Sequence, residues 1–134
     1  VTWRASFLST LAIDEEAEQQ TVVVAERSGT RRFPILIGQL EALAIDRAVK
    51  GQVFPRPLTH DLLLALVAAL HADIREVRIT DVRGGTFYAA LVLARADGSL
   101  VEMDCRPSDA LAVLVRRPET PLLVAEEVLA EAGG

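Results

Sequence analysis

The sequence predicts an α+β fold built from two similar strand-strand-strand-helix units, with mostly antiparallel pairing, and three observations carry that prediction. Short segments alternate apolar and polar side chains with the period of a strand. Glycine-containing turns join neighbouring segments closely enough to require antiparallel hairpins. A helical pattern follows the third strand of each half. A chain of 134 residues in this arrangement is expected to be a single domain over 1–134, with room for a real core but not for two ordinary domains.

Strand signals begin at Trp3 to Ile13, followed by the charged stretch DEEAEQQ, then TVVVAE at 21–26, a turn at Ser28-Gly29, and RRFPILI at 31–37. In the last of these, Phe33, Ile35 and Ile37 fall on one face and Arg32, Pro34 and Leu36 on the other. Gly38 ends the strand, and QLEALAIDRAVKG reads as a helix from Gln39 to Lys50 stopped by Gly51. FPRP is excluded from regular helix, because each proline fixes its own φ and pushes its predecessor towards extended geometry. Thr59 is expected to cap the next helix, with Asp61 complementing the dipole in its first turn. DLLLALVAALHA continues that helix to His71 and is apolar almost all round, so it is expected in the core or at a subunit interface. His71 is assigned to the negative end of the helix dipole.

The second half gives a strand, a Gly84-Gly85 turn, a strand, an Asp97-Gly98 turn, a strand and a helix. With one residue deleted, the two halves register Gly29 on Gly98, Ala42-Leu43-Ala44 on Ala110-Leu111-Ala112, and Glu41 on Asp109. The triplet Phe33, Ile35 and Ile37 then falls on Val101, Met103 and Cys105, which are expected to point inward. PLLVA closes the chain as a strand and EEVLAEA as a helix. The pattern does not decide whether the two units share one sheet. Asp81 reads as a turn residue, Tyr88 as a strand aromatic and Cys105 as a small core hydrophobe.

Composition bounds the function. With 14 basic and 19 acidic residues the net charge is −5, which argues against nucleic-acid binding by bulk attraction but leaves a local basic cleft open. All the basic residues except Lys50 are arginine, the side chain suited to bidentate contact with phosphate. Hydrophobic residues make up 51%, aromatics 4%, and mean hydropathy is +0.30. That apolar excess predicts burial between subunits, most simply in a homodimer. The single Cys105 excludes an internal disulfide and a cysteine zinc cluster, and it suits a reducing cytoplasm. The longest apolar run, Leu62 to Leu70, is far short of the roughly 18 to 20 residues that span a bilayer, so no membrane partner is expected.

The candidate site residues are Glu41, Arg56, His60, Asp61, Arg106, Ser108 and Asp109, all at helix starts or beside the prolines that stiffen their approach. Hydrolysis of a phosphodiester requires an activated water, stabilised phosphoryl charge and a group at the leaving oxygen. Here carboxylates would hold a divalent cation such as Mg2+, His60 would act as general base, and Arg56 and Arg106 would hold phosphate. The residues alone equally allow helix caps and buried ion pairs in a non-catalytic interaction or regulatory module. They also allow a small phosphorylated ligand at the helix starts. No phosphate loop, dinucleotide fingerprint, nucleophile elbow or zinc-helix motif is present.

IGQLEALAI, PRPLTHDLL, ITDVRGGTFYA and RPSDALAV, in this order and followed by VAEEVL, resemble the bifunctional nuclease (BFN) domain family. The resemblance covers nearly the whole chain, strongly from about Phe33 to Leu129. It implies an α+β fold, cleavage of DNA and RNA, and dimerisation. Its motifs fall on Glu41, Arg56, Pro57, Thr59, His60, Asp61, Thr86, Phe87, Tyr88, Arg106, Pro107, Ser108 and Asp109, without assigning a catalytic residue among them. The chain departs from the pattern at Leu36, where the family usually carries Trp, and at RRPETP, where a glycine-containing link is usual.

Overall fold

A computed structural model describes residues 1–134. In chain order the elements are β1 (Trp3–Ala12), β2 (Gln19–Glu26), β3 (Arg32–Gly38), α1 (Gln39–Val49), α2 (Thr59–Ala69) and β4 (Asp73–Arg83). They continue as β5 (Thr86–Ala94), β6 (Leu100–Cys105), α3 (Pro107–Arg116), β7 (Leu122–Ala125) and α4 (Glu126–Ala132). The expected α+β class holds, and boundaries agree with the sequence reading to within a few residues.

All seven strands form one sheet in the order β3-β2-β1-β7-β4-β5-β6. Each half is an antiparallel meander, and β7 joins them by pairing antiparallel with β1 and parallel with β4. The question the periodicity left open is thus answered by a strand of four residues from the end of the chain. Between β4 and β5, Gly84 and Gly85 both take positive φ, and Arg83 pairs with Thr86 across them. That two-residue turn needs left-handed backbone at both positions, which glycine supplies at no steric cost.

Phe33, Ile35 and Ile37 point into the core as expected. Their counterparts do not: Met103 on β6 is half exposed, and Val101 and Cys105 are only partly buried. β6 is the last strand of the sheet, with no further strand outside it. Burial in the second half is carried instead by β5, where four consecutive residues, Ala89 to Val92, are buried on both faces. Asp81 is also not in the turn. It lies inside β4 where the pairing register slips, and it accepts from the Val82 amide and from Arg83 Nε. Burial pushes the Cys105 thiol up to about 11, so it stays protonated and unreactive.

The buried helix is α3. Ala110, Leu111, Ala112, Val113 and Leu114 are all buried, against Ala42 and Ile45 of α1 on one side and β4 and β5 on the other. α2 corrects the expectation of a buried linking helix: it buries only Leu64 and packs on the outside of α3. A helix apolar on every face suits the core or an interface equally, and here α1 and α3 already fill the core position. Nor does Thr59 cap α2. The N-cap is Leu58, and Thr59 is the first helical residue.

α2 ends on His71, the one non-glycine residue with positive φ, at 58°. Its amide donates to the Ala68 carbonyl, and the Ala72 amide donates to Val67, which closes the helix in a Schellman motif. α1 ends in the same way on Gly51. Far from these helices, Arg31 binds Glu26 and Glu126 together, and Arg4 also reaches Glu126, tying the β2–β3 turn and β1 to the start of α4.

Two predictions follow from these placements. An L residue in left-handed backbone costs about 1–2 kcal/mol, partly offset by glycine's greater entropy when unfolded, so His71→Gly should raise stability by roughly 0.5–1 kcal/mol in urea unfolding. Hydrogen bonds from Arg31 hold the Glu126 carboxyl down at about 2 against an ordinary 4.5. A carboxylate depressed on folding adds stability that is present above its unfolded value and lost as pH falls through its folded one. Stability should therefore decline between pH 4.5 and about 2, and Arg31→Gln should flatten that part of the curve in acid-unfolding measurements.

Candidate functional site

α1, α2 and α3 each begin near the same place, and their starts, with one side of α1 as far as Arg47 in its last turn, line a cleft of about 540 Å³. α1 contributes Glu41 and Arg47, the start of α2 contributes Leu58 and His60, and the start of α3 contributes Arg106 and Asp109. The first amides of a helix lack intrahelical acceptors and carry the positive end of its dipole, so three such ends around one cavity favour an anion. An adjoining cleft of about 440 Å³ shares Glu41 and Arg106 and adds Gly38, Phe87 and Ser108.

Each of the three helices carries a carboxylate at its third position: Glu41, Asp61 and Asp109. Only Asp61 serves as the helix-start acceptor that this position predicts, taking the Leu58 amide at 3.1 Å. Glu41 folds back over Gly38, where a Cβ would meet its carboxylate oxygens at 2.5 and 2.7 Å. Its Oε2 is buried without a hydrogen-bond partner. Asp109 turns outward and binds side chains from two helices. Its Oδ1 lies 3.0 Å from His60 Nε2, while Arg106 Nε donates to Oδ2 at 3.0 Å and Nη2 to Oδ1 at 3.2 Å.

Burial pushes the Asp109 carboxyl up, but the hydrogen bonds from Arg106 and His60 outweigh it and hold the group below its ordinary value. An ionised carboxylate only accepts, so Nε2 of His60 carries the proton and Nδ1 keeps the lone pair in the neutral ring. His60 is thereby held in one tautomer by a partner 49 residues away in sequence.

Asp61 is bound to the scaffold rather than to the cleft. Arg116, whose side chain is only 7% exposed, donates to Asp61 Oδ1 at 2.8 Å. The same guanidinium donates to the carbonyls of Ala44 in α1 and Ala112 in α3. Burial raises the Asp61 carboxyl, yet the bonds from Arg116 and the Leu58 amide prevail and hold it below its ordinary value. One buried arginine in the last turn of α3 thus fastens the start of α2 and the middle of α1 to α3.

Of the seven predicted site residues, Glu41, His60, Arg106 and Asp109 meet in the cleft. Ser108 is buried in the wall of the adjoining cleft. Asp61 is separated from them by its bond to Arg116. Arg56 is exposed on the FPRP connector, in a shallow hollow with Phe54 and Asp61, and joins none of the ion pairs. Arg47 and Arg116 were missed from sequence. Arg116 had a detectable signal, since it follows Asp109 by two helical turns on the same face of α3. Phe87, a family-motif position, stacks on Phe33 with ring centres 5.2 Å apart and so serves the core.

The cleft donors do not assemble a divalent-cation site. No three His, Cys, Asp or Glu side chains are grouped to hold an ion. Asp109 is engaged by Arg106 and His60, leaving Glu41 as the cleft carboxylate with a free oxygen.

The bifunctional nuclease domain family matches residues 22–134. The chain belongs to that family. Relatives from two strains of Mycobacterium tuberculosis, described only as uncharacterised proteins, are 42% identical over 123 residues, covering 92% of this chain and 72% of theirs. "Bifunctional nuclease 1" of Oryza sativa subsp. indica and "Bifunctional nuclease" of Oryza minuta are 23% identical over 109 residues, covering 79% of this chain. The match spans 33% of the length of those rice proteins. The family match includes all three helix starts that line the cleft.

Arg116→Ala should destabilise this BFN domain by roughly 2–4 kcal/mol, because it leaves two carbonyls and Asp61 without their shared donor. Arg116→Lys should recover only part of that loss, since an ammonium cannot reproduce the planar fork. Urea unfolding of the two variants provides the comparison.

Proposed function

We propose that residues 1–134 act as one BFN domain that hydrolyses phosphodiester bonds of DNA and RNA in the cleft shared by α1, α2 and α3. The observation that carries this reading is the His60–Asp109–Arg106 cluster at an open cleft rimmed by helix N-termini. Asp109 fixes the His60 tautomer, and His60 Nδ1 takes the proton from an attacking water or ribose hydroxyl as its oxygen bonds to phosphorus; the P–O bond to the leaving oxygen breaks, that oxygen takes a proton from solvent, and the imidazolium then returns its proton to solvent. Arg106 spends Nε and one Nη2 hydrogen on Asp109, leaving Nη1 and the second Nη2 hydrogen to hold the phosphoryl oxygens as charge builds. Arg47 and the free amides at the start of α3 add to that stabilisation. The rice relatives named bifunctional nucleases support the substrate class. A local arginine cleft on a chain of net charge −5 recognises phosphate by geometry rather than by bulk attraction. The reducing cytoplasm suits the single thiol.

The cleft volume of about 540 Å³ also favours a second reading, a small phosphorylated ligand held by the same donors, since ligand pockets fall at roughly 300–1,000 Å³. A third, a non-catalytic module, draws on the structural use of Asp61.

Purified protein incubated with single- and double-stranded DNA and RNA, with Mg2+ or Mn2+ and with EDTA, tests the first reading. Asp109→Asn and His60→Gln should each lower kcat by about 10²- to 10⁴-fold with circular dichroism unchanged. Arg106→Ala should weaken both KM and kcat. Cleavage that survives both substitutions sinks the assignment. Mononucleotide binding by calorimetry without any cleavage favours the small-ligand reading.

A further inference from the structure

The cleft beside the His60 site takes no part in the proposed reaction. It encloses about 440 Å³ and meets the larger cleft at Glu41 and Arg106, which line both. Away from that border its walls are apolar, from Leu36 and its neighbours on β3 and from Phe87 on β5, with hydroxyls added by Thr86 and Ser108. Leu36 is 62% exposed, whereas Ser108 is only 6% exposed and its hydroxyl bonds to no group within the chain. β3 ends the sheet on this side, so the outer edge of its backbone has no strand to pair with.

These features select an occupant. A volume of about 440 Å³ falls within the roughly 300–1,000 Å³ of small-molecule pockets. A second phosphate is disfavoured, because Arg106 is shared with Asp109 and stands at the border, while the Glu41 carboxylate lies on the same wall. A flat ring with polar edges suits the cleft: apolar side chains cover its faces, and hydroxyls and unpaired backbone groups meet its rim.

We propose that this cleft is a nucleobase subsite, which takes the base of the nucleotide adjoining the phosphate held at Arg106. The inference rests on the reading of Arg106 as the phosphoryl-binding residue and adds recognition of the base to it. Because Arg106 borders both clefts, a nucleotide can lay its base in the second while its phosphate stays beside His60. A base seated there has left its stack and its pairing partner, so a paired nucleotide must open before it is bound.

The test compares equilibrium binding of a short fluorescein-labelled oligothymidylate with that of the same strand carrying tetrahydrofuran in place of every nucleoside, which keeps the phosphates and removes the bases. Strand length is checked by gel after each measurement. The intact strand should bind about ten- to a hundredfold more tightly than the abasic one. Leu36→Trp, which extends the apolar wall, should widen that ratio at least about threefold, and Leu36→Ala should narrow it by a similar factor. The abasic strand, making phosphate contacts alone, should bind all three proteins alike. Leu100→Ala, at an equally exposed position on β6, should leave both affinities unchanged. Equal affinity for the two strands overturns the proposal, as does a ratio indifferent to both Leu36 substitutions. Equal affinities with cleavage sink the subsite and leave hydrolysis standing, whereas a base-dependent, Leu36-dependent ratio without cleavage supports the subsite and sinks hydrolysis. Binding of neither strand overturns both.

Discussion

The guanidinium of Arg116 is the constraint on which the site depends. It is nearly buried, so its charge must be compensated, and the compensation comes from three helices at once: the Asp61 carboxylate, the Ala44 carbonyl and the Ala112 carbonyl. A planar group with five donors in fixed directions can satisfy all three only if the helices keep one mutual arrangement. That arrangement sets Leu58 and His60 opposite Asp109. The hydrophobic core holds α1 and α3 against the sheet, whereas α2 packs on it through Leu63, Leu64 and Val67 alone, and the Arg116 contact fixes where its first turn comes to rest.

The three third-position carboxylates show how context divides residues that look alike in sequence. Asp61 follows an N-cap residue, Leu58, with no side-chain acceptor of its own, and it takes that residue's amide. Glu41 follows Gly38, whose missing side chain leaves space for the longer carboxylate to fold back, and one oxygen ends in a buried place with no donor. Asp109 follows Arg106, which draws the carboxylate outward to where His60 arrives from another helix. A single helix-start rule accounts for Asp61 alone; of the other two carboxylates, Asp109 meets His60 and Arg106 at the cleft while one oxygen of Glu41 stays buried.

Local chemistry made much of the fold legible. Gly84-Gly85 and Gly51 sit where left-handed backbone is needed, the alternation in β3 matches its burial residue by residue, and Gly38 marks the change from strand to helix. Long-range competition was not legible. β7 lies between β1 and β4, where strands pair with both edges of its short apolar run, and no local pattern states that. The registration of Met103 on Ile35 assumed equal cover for both units, yet β6 ends the sheet with Met103 half exposed. Total apolarity is higher in α2 than in α3 and so points to α2 as the buried helix. α3 carries an arginine in its last turn and small residues where β4, β5 and α1 approach closely, and these features suit it to the centre.

The candidate site divides along the same line. Its members were legible as polar residues at stiff helix starts, but not their pairing, because His60 and Asp109 meet only after α2 has been laid across α3. Arg56 fails for the converse reason: the prolines that make its connector rigid also hold it out in solvent, away from the three helix ends. Stiffness alone therefore does not identify a functional position. What separates His60 from Arg56 is convergence, a second and third element bringing an ionised partner and free helix amides to the same few ångströms. Within the PRPLTHD segment, the functional weight shifts from the arginine between the prolines to the histidine after them. The neighbouring aspartate is the fastening that keeps that histidine in place.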